Sequence, residues 1–322
     1  MRLRMLLKRT RTWNLEKLQD QPYLSLSKRL KTYKPIRVGR SVFHKIRDVN
    51  HHFRVWGEEN DPILFYLHGW ADTGSTFQFV VDALKSNWRV IAPDLRGFGK
   101  SQHIRSNYWF PDYLADLDEM IQFFSADKPV TLIGHSMGAN IASLYAGIAP
   151  EKVSHLINIE GFGLKESNPN NAPNNYRRWI EQQKQVPVFQ SYSSFEELTP
   201  RILKRSPNMA PDRALFVAQE WTETTEELIN LRVDPYHKLP NAVQYRRNEA
   251  EACWRKITAS TLLIFGEKTN FKEEMQLLMS IDDENVSFHD AVSECIPNVG
   301  HMIHFEAPEM LAQIIEEFLL NL

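Results

Sequence analysis

Three features of the 322-residue chain predict an α/β fold whose mainly parallel sheet is covered by helices on both faces. Short, continuous apolar runs recur along the sequence, as expected of strands buried on both sides. Segments with apolar residues at helical spacing separate them, and alternating strands and helices favour parallel strand–helix–strand units. At one strand-to-helix junction stands Gly134-His135-Ser136-Met137-Gly138, a G-x-S-x-G pentapeptide.

The elements follow in order. Val42–Lys45 and His52–Trp56 predict a two-stranded opening, and Ile63–Leu67 and Arg89–Ala92 predict buried strands. Pro111 to Phe124 carries helical periodicity. Pro129–Ile133 is the strand before the pentapeptide, and the helix after it runs through Ala139–Ala146. Val153–Ile159 and Thr261–Phe265 are two more strands, and Glu309 to Leu319 closes the chain as an amphipathic helix. Between Gly163 and about Cys253 the pattern changes. The turn-rich run 168–175 leads into helical segments bearing Trp179, Phe195, Phe216, Trp221 and Tyr245, with no clear strand. We expect a helical cap inserted over the carboxyl ends of the strands, its aromatics forming a small core of its own or lining an apolar pocket. The division is then a leader over 1–40, a core over 41–162 and 252–322, and a cap over 163–251.

Composition is that of a globular protein, 43% hydrophobic and 24% charged, and the net charge of −2 gives no argument for a nucleic-acid partner. Two cysteines, Cys253 and Cys295, are too few for a disulfide framework, which points to a reducing, cytoplasmic compartment. From Met1 to Arg47 the only acids are Glu16 and Asp20 among many Lys and Arg. That stretch reads first as a solvated leader. A transit peptide, or a weak surface contact with anionic lipid or a partner, is the alternative. No apolar run approaches transmembrane length, and the sequence sets no oligomeric state.

The chemistry centres on Ser136. A serine at the tip of a sharp strand-to-helix turn is presented as a nucleophile, the flanking glycines relieve the crowding, and the following helix directs its amides at the same point. Such a serine needs a base, an orienting acid and two oxyanion donors. His301, after Gly300 in a loop before the last helix, is the candidate base, with His304 as local competitor. The oxyanion donors are the backbone N–H groups of Met137 and of Trp70, the latter in His68-Gly69-Trp70 after a buried strand. His68, Gly69 and His135 are expected around the substrate pocket, whereas the glycine-rich 94–101 loop is expected to be structural, its Asp94 and Arg96 bonding backbone at the site edge.

Together, His68-Gly69-Trp70, Asp94-Leu95-Arg96-Gly97-Phe98-Gly99, Gly134-His135-Ser136-Met137-Gly138 and Gly300-His301 resemble the α/β-hydrolase fold superfamily, and within it the capped, cofactor-free serine hydrolases. The resemblance spans about residue 42 to the C-terminus. It implies a nucleophile–acid–histidine triad, with no metal or organic cofactor, acting on a small molecule. The family most often carries an Asp in the loop after the strand ending at Phe265. Here Gly266-Glu267-Lys268-Thr269-Asn270 puts Thr269 or Asn270 in that place. Glu160, at the end of the strand after the nucleophile unit, is the preferred acid, because certain dehalogenases of the superfamily place theirs at that strand end and a carboxylate closing an apolar run needs a partner. Glu267, Asp283 and Asp290 are the alternatives.

The expected activity is hydrolysis of an ester or related acyl bond, with an apolar ester suggested by the cap's aromatic content. C–C bond hydrolases and cofactor-free haloperoxidases share such a triad. A non-catalytic ligand-binding protein of the same fold is the rival from another class.

Overall fold

The computed structural model describes residues 31–185, 187–279, 288 and 291–320. The basic leader up to residue 30, and the alternative acids Asp283 and Asp290, lie outside the described residues.

The chain opens with β1 (Arg40–Ile46) and β2 (Val49–Trp56), an antiparallel pair turning at Arg47. There follow β3 (Ile63–Leu67), α1 (Gln78–Ala83), β4 (Arg89–Pro93), α2 (Phe110–Phe124), β5 (Val130–His135), α3 (Met137–Ile148) and β6 (Val153–Ile159). An insertion then holds α4 (Ala172–Gln182), α5 (Phe195–Arg205), α6 (Pro211–Glu220), β7 (Thr222–Thr225), β8 (Leu228–Leu231) and α7 (Arg247–Trp254). The chain ends with β9 (Ser260–Gly266), α8 (Lys272–Met279), β10 (Val292–Ile296), α9 (Ile303–Glu306) and α10 (Pro308–Leu320).

Eight strands form one sheet in the order β1-β2-β4-β3-β5-β6-β9-β10. From β4 to β10 every pairing is parallel, and only β2 runs against its neighbours. The period-two alternation of strand side chains divides the core. Phe65, Leu67, Leu132, Leu156, Leu263 and Phe265 face α2, α3 and α7, whereas Leu64, Tyr66, Ile133, Ile157, Leu262 and Ile264 face α1 and α10. Apolar residues are therefore needed at consecutive positions, which explains the continuous runs in the sequence. Burying each such side chain is worth roughly 1.5–3 kcal/mol.

The insertion has a third cluster. Leu198 and Ile202 of α5, Ala214, Phe216 and Val217 of α6 and Ile229 of β8 pack onto Phe79 of α1 and Phe305 of α9. It thus has its own core and is seated on the sheet domain. Three strands escape the sequence reading. β7 and β8 form an antiparallel hairpin where no strand is expected, joined by Glu226 and Glu227 at φ 51° and 66°. β10 adds a polar edge beside β9. Among the described residues no helix is long and apolar enough to cross a membrane.

Candidate active site

The strand order fixes where a ligand meets the sheet. From β3 the chain crosses to β4 on one side, then returns to β5 on the other. The carboxyl ends of β3 and β5 therefore flank a topological switch point, where the crevice of an open α/β sheet lies. Ser136 sits there, between β5 and α3, at φ 52° and ψ −115°. A non-glycine residue at positive φ is strained, and the strain is held by packing on both sides. The Ser136 N–H donates to the Ile159 carbonyl at 2.8 Å, tying the turn to β6. A Cβ on Gly138 would lie 2.1 Å from the Leu67 carbonyl oxygen, and one on Gly134 would lie 2.5 Å from the backbone of Ala139. Only glycine allows α3 to come this close to β3 and β5. Met137 is the first residue of α3, so its N–H has no intrahelical acceptor.

The structure brings Glu160 and His301 together. Glu160 follows β6 at φ 59° and is buried, and its Oε2 accepts from His301 Nδ1 at 2.9 Å. The same oxygen accepts from the Thr269 hydroxyl at 2.5 Å, while Oε1 accepts from the Gly266 N–H at 2.7 Å. The β9 loop therefore provides two donors that clamp the Glu160 carboxylate. Thr269 occupies the position where an acid was expected from the resemblance, and it faces the glutamate it would otherwise duplicate. His301 is partly exposed and its ring lies 4.8 Å from that of Phe271. Glu267 is elsewhere, accepting from the Asn298 N–H at 2.8 Å.

The other candidate donor lies in a turn after β3. The Asp72 N–H donates to the Gly69 carbonyl at 3.3 Å across Trp70 and Ala71, and Ala71 takes the positive φ of 59°. This is the geometry of a type II turn, which places the Trp70 peptide N–H at the first central position. The Trp70 indole is 49% exposed and meets Phe189 of the insertion. Gly69 packs against both His135 and Ser136, where a Cβ would come within 2.9 Å of His135 Nδ1.

His68 and His135 are not open pocket walls. His68 is wholly buried, and its Nδ1 meets the Gly69 carbonyl at 2.7 Å while Nε2 accepts from the Leu95 N–H at 2.9 Å. It joins the β3 turn to the β4 turn, and burial pushes its pKa down. His135 is also buried, and its Nε2 donates to the His301 carbonyl at 2.9 Å. The residue before Ser136 thereby holds the loop that carries His301. Burial, reinforced by the neighbouring His304 and His301, keeps the His135 pKa well below the usual range.

The 94–101 loop is structural, with one difference from expectation. Asp94 accepts from the Gly74 and Lys100 N–H groups and from His52 Nδ1, each at 2.8 Å. Arg96, expected to bond backbone, forms a buried two-pronged pair with Asp116 of α2, both contacts at 2.5 Å.

His304, the competing base, is paired with another carboxylate. Its Nε2 meets Asp72 Oδ2 at 3.1 Å in a fully buried setting. Asp72 Oδ1 accepts from the Thr73 N–H at 2.8 Å, the Thr76 hydroxyl at 2.7 Å and Trp221 Nε1 at 2.7 Å. Burial alone would raise the Asp72 pKa, but the His304 and Trp221 hydrogen bonds and nearby histidine charge hold it below the usual range. Through Trp221 this carboxylate also anchors the insertion to the turn bearing Trp70. Nothing in the sequence singles out Asp72, because its partners beyond the neighbouring Thr73 and Thr76 come from two distant segments, at Trp221 and His304.

A mostly parallel eight-stranded sheet, a strained serine after its central strand and an acid–histidine pair beside that serine define a hydrolase-type α/β architecture. Residues 62–308 match the family model described as alpha/beta hydrolase fold, and the chain belongs to that family. It is similar to the serine hydrolase-like protein of Danio rerio, with 24% identity over 83% of this chain and 84% of that one. It is also similar to epoxide hydrolase 4 of Homo sapiens, with 27% identity over 88% of this chain and 79% of the relative. Among solved structures, a thioesterase domain from the curacin biosynthetic pathway superposes with a TM-score of 0.76 at 23% identity, covering 87% of this chain and 99% of that domain.

Proposed function

We propose that the protein is a serine hydrolase that cleaves an ester or related acyl bond of a small, apolar substrate. The observation that carries this reading is the 2.9 Å contact between Glu160 and His301 beside a serine held at positive φ. Ser136 Oγ attacks the acyl carbon while His301 Nε2 takes its proton. Glu160 fixes the His301 tautomer and stabilises the imidazolium. The N–H groups of Trp70 and Met137 hold the oxyanion. His301 then protonates the departing alcohol, and water repeats the sequence to release the acid and free Ser136. The chemistry requires no metal or organic cofactor.

The reading keeps the division into a core (41–162 and 252–322) and a cap (163–251), with the substrate's apolar part lying beneath the cap beside Trp70 and Phe189. Epoxide opening, suggested by the name of one relative, fits Ser136 poorly. A serine that opened an epoxide would be left as an ether, which water does not cleave, whereas an acylated serine turns over. A screen of p-nitrophenyl esters of increasing acyl length tests the proposal. Turnover that rises with an apolar chain and vanishes in Ser136→Ala supports it. No hydrolysis of any ester or thioester by folded protein sinks it in favour of a ligand-binding role.

A further inference from the structure

Behind Ser136 lies a second group of polar side chains that the proposed reaction does not use. One ligand atom each from Asp72, His135 and His304 lies within 4.8 Å of the others, and all three residues are buried. His304 Nε2 and Asp72 Oδ2 are 3.1 Å apart. The His135 and His304 rings are tilted at 54° with centroids 4.4 Å apart. Three buried polar atoms in this region have no hydrogen-bond partner among the described residues: His135 Nδ1, His304 Nδ1 and the Tyr66 hydroxyl. Buried polar groups are ordinarily satisfied, and of these atoms His135 Nδ1 is the one free to serve the cluster, since its Nε2 is held by the His301 carbonyl and His304 already meets Asp72 through Nε2.

We propose that Asp72, His135 and His304 form a binding site for a divalent transition-metal cation of the Zn2+ class. Two imidazoles and a carboxylate are a donor set that such a cation favours, and three protein ligands leave one tetrahedral position open. The spacing fits. Ligands held at about 2.0–2.1 Å in a tetrahedron are roughly 3.3 Å apart. The His304–Asp72 separation already meets that value, and the ligand atom of His135 lies within 4.8 Å of both. The cation takes the place of the proton between His304 Nε2 and Asp72 Oδ2. That proton either moves to His304 Nδ1 or is released.

The outer contacts are also those of metal ligands. His135 binds through Nδ1 while its Nε2–H is held by the His301 carbonyl, a backbone partner of the kind that orients a ligating imidazole. Asp72 is fixed by three donors on Oδ1, which leaves Oδ2 aimed at the histidines. Occupancy would affect turnover in a definite direction, and this consequence rests on the serine-hydrolase reading. The His135 ring is 4.8 Å from the His301 ring, so a dication there opposes the imidazolium that forms on His301 and inhibits.

Titration calorimetry of the full chain with Zn2+, and the visible spectrum with Co2+, test the binding directly and need no turnover. One equivalent should bind to the wild type and equally to Ser136→Ala. Asp72→Asn and His304→Gln should each weaken binding by at least about 10–100-fold, the scale already seen for loss of outer-shell partners. Thermal melts check that both variants fold. If Asp72→Asn does not, His304→Gln and the loss of the Co2+ ligand-field bands decide. No binding to the wild type up to millimolar Zn2+, or unchanged binding in the folded variants, overturns the site. Either result leaves the hydrolase reading intact, because Ser136→Ala separates the two.

Discussion

Replacing Glu160 by glutamine removes one charge and almost no volume. The wild-type carboxylate lies 2.9 Å from His301 Nδ1, is buried, and accepts from Gly266 and Thr269 as well. All three partners donate. Whichever terminal atom of glutamine becomes NH2, it faces a donor: the Gly266 N–H on one side, or the Thr269 hydroxyl and His301 Nδ1–H on the other. His301 is then driven toward the wrong tautomer. The lost charge has a calculable weight. Two unit charges about 4 Å apart at an effective dielectric constant near 20 interact by about 4 kcal/mol. That stabilisation arises only when His301 becomes an imidazolium, so it belongs to the transition state. It corresponds to a fall of about a thousand-fold in kcat, and loss of the tautomer extends this toward ten-thousand-fold. KM should barely move, since Glu160 does not touch substrate. Steady-state kinetics on the best p-nitrophenyl ester measure it, with a thermal melt to confirm folding. A folded Glu160→Gln protein with kcat within a few-fold of wild type would refute the assignment.

Three further outcomes are expected. Thr269→Val removes one donor from the Glu160 carboxylate, a contribution of about 1 kcal/mol, and should lower kcat roughly five- to ten-fold without changing KM. Asp116→Asn takes the two-pronged carboxylate from the buried Arg96 guanidinium, leaving it only the longer 3.7 Å contact with Asp112, and should destabilise the fold by about 3 kcal/mol, read as a melting temperature lower by roughly 6–12 °C. His237, stacked between Phe98 and Tyr108, has its pKa pushed down to about 3 by burial. Below pH 6.5 the unfolded chain binds this proton and the folded one does not, so stability falls as pH drops from 6.5 toward 3. His237→Phe should flatten that dependence by up to about 1.4 kcal/mol per pH unit, measured by urea melts across the window. An unchanged slope would remove His237 as a cause.

The legible parts of the sequence are those set by local pattern. β3, β4, β5, β6 and β9 are read correctly because both faces of each central strand are buried, which forces continuous apolar runs. Ser136 is visible because the crowding between α3, β3 and β5 leaves its signature in Gly134 and Gly138. Glu160 is visible because a glutamate ends an apolar strand. The β7–β8 hairpin is hidden for the opposite reason. Its two-residue turn is Glu226-Glu227, both at positive φ, where Asn-Gly or Asp-Gly would have announced it. The polar Thr222–Thr225 strand offers no apolar alternation either. β10 is an edge strand with Ser293, Glu294 and Cys295 in its middle, so no run marks it. Asp72, Trp221 and His304 meet only in three dimensions, and no spacing in the chain predicts their contact. The same is true of His68, whose ring is consumed by two backbone partners rather than facing the pocket.

In the proposed reaction Ser136 is a nucleophile activated by His301 and Glu160. Intact mass analysis after treatment with a fluorophosphonate measures this without knowledge of the substrate. A single stoichiometric adduct on Ser136 is expected in the wild type, none in Ser136→Ala, and slow labelling in Glu160→Gln. A folded wild-type protein that stays unlabelled, or an adduct that persists in Ser136→Ala, would contradict it.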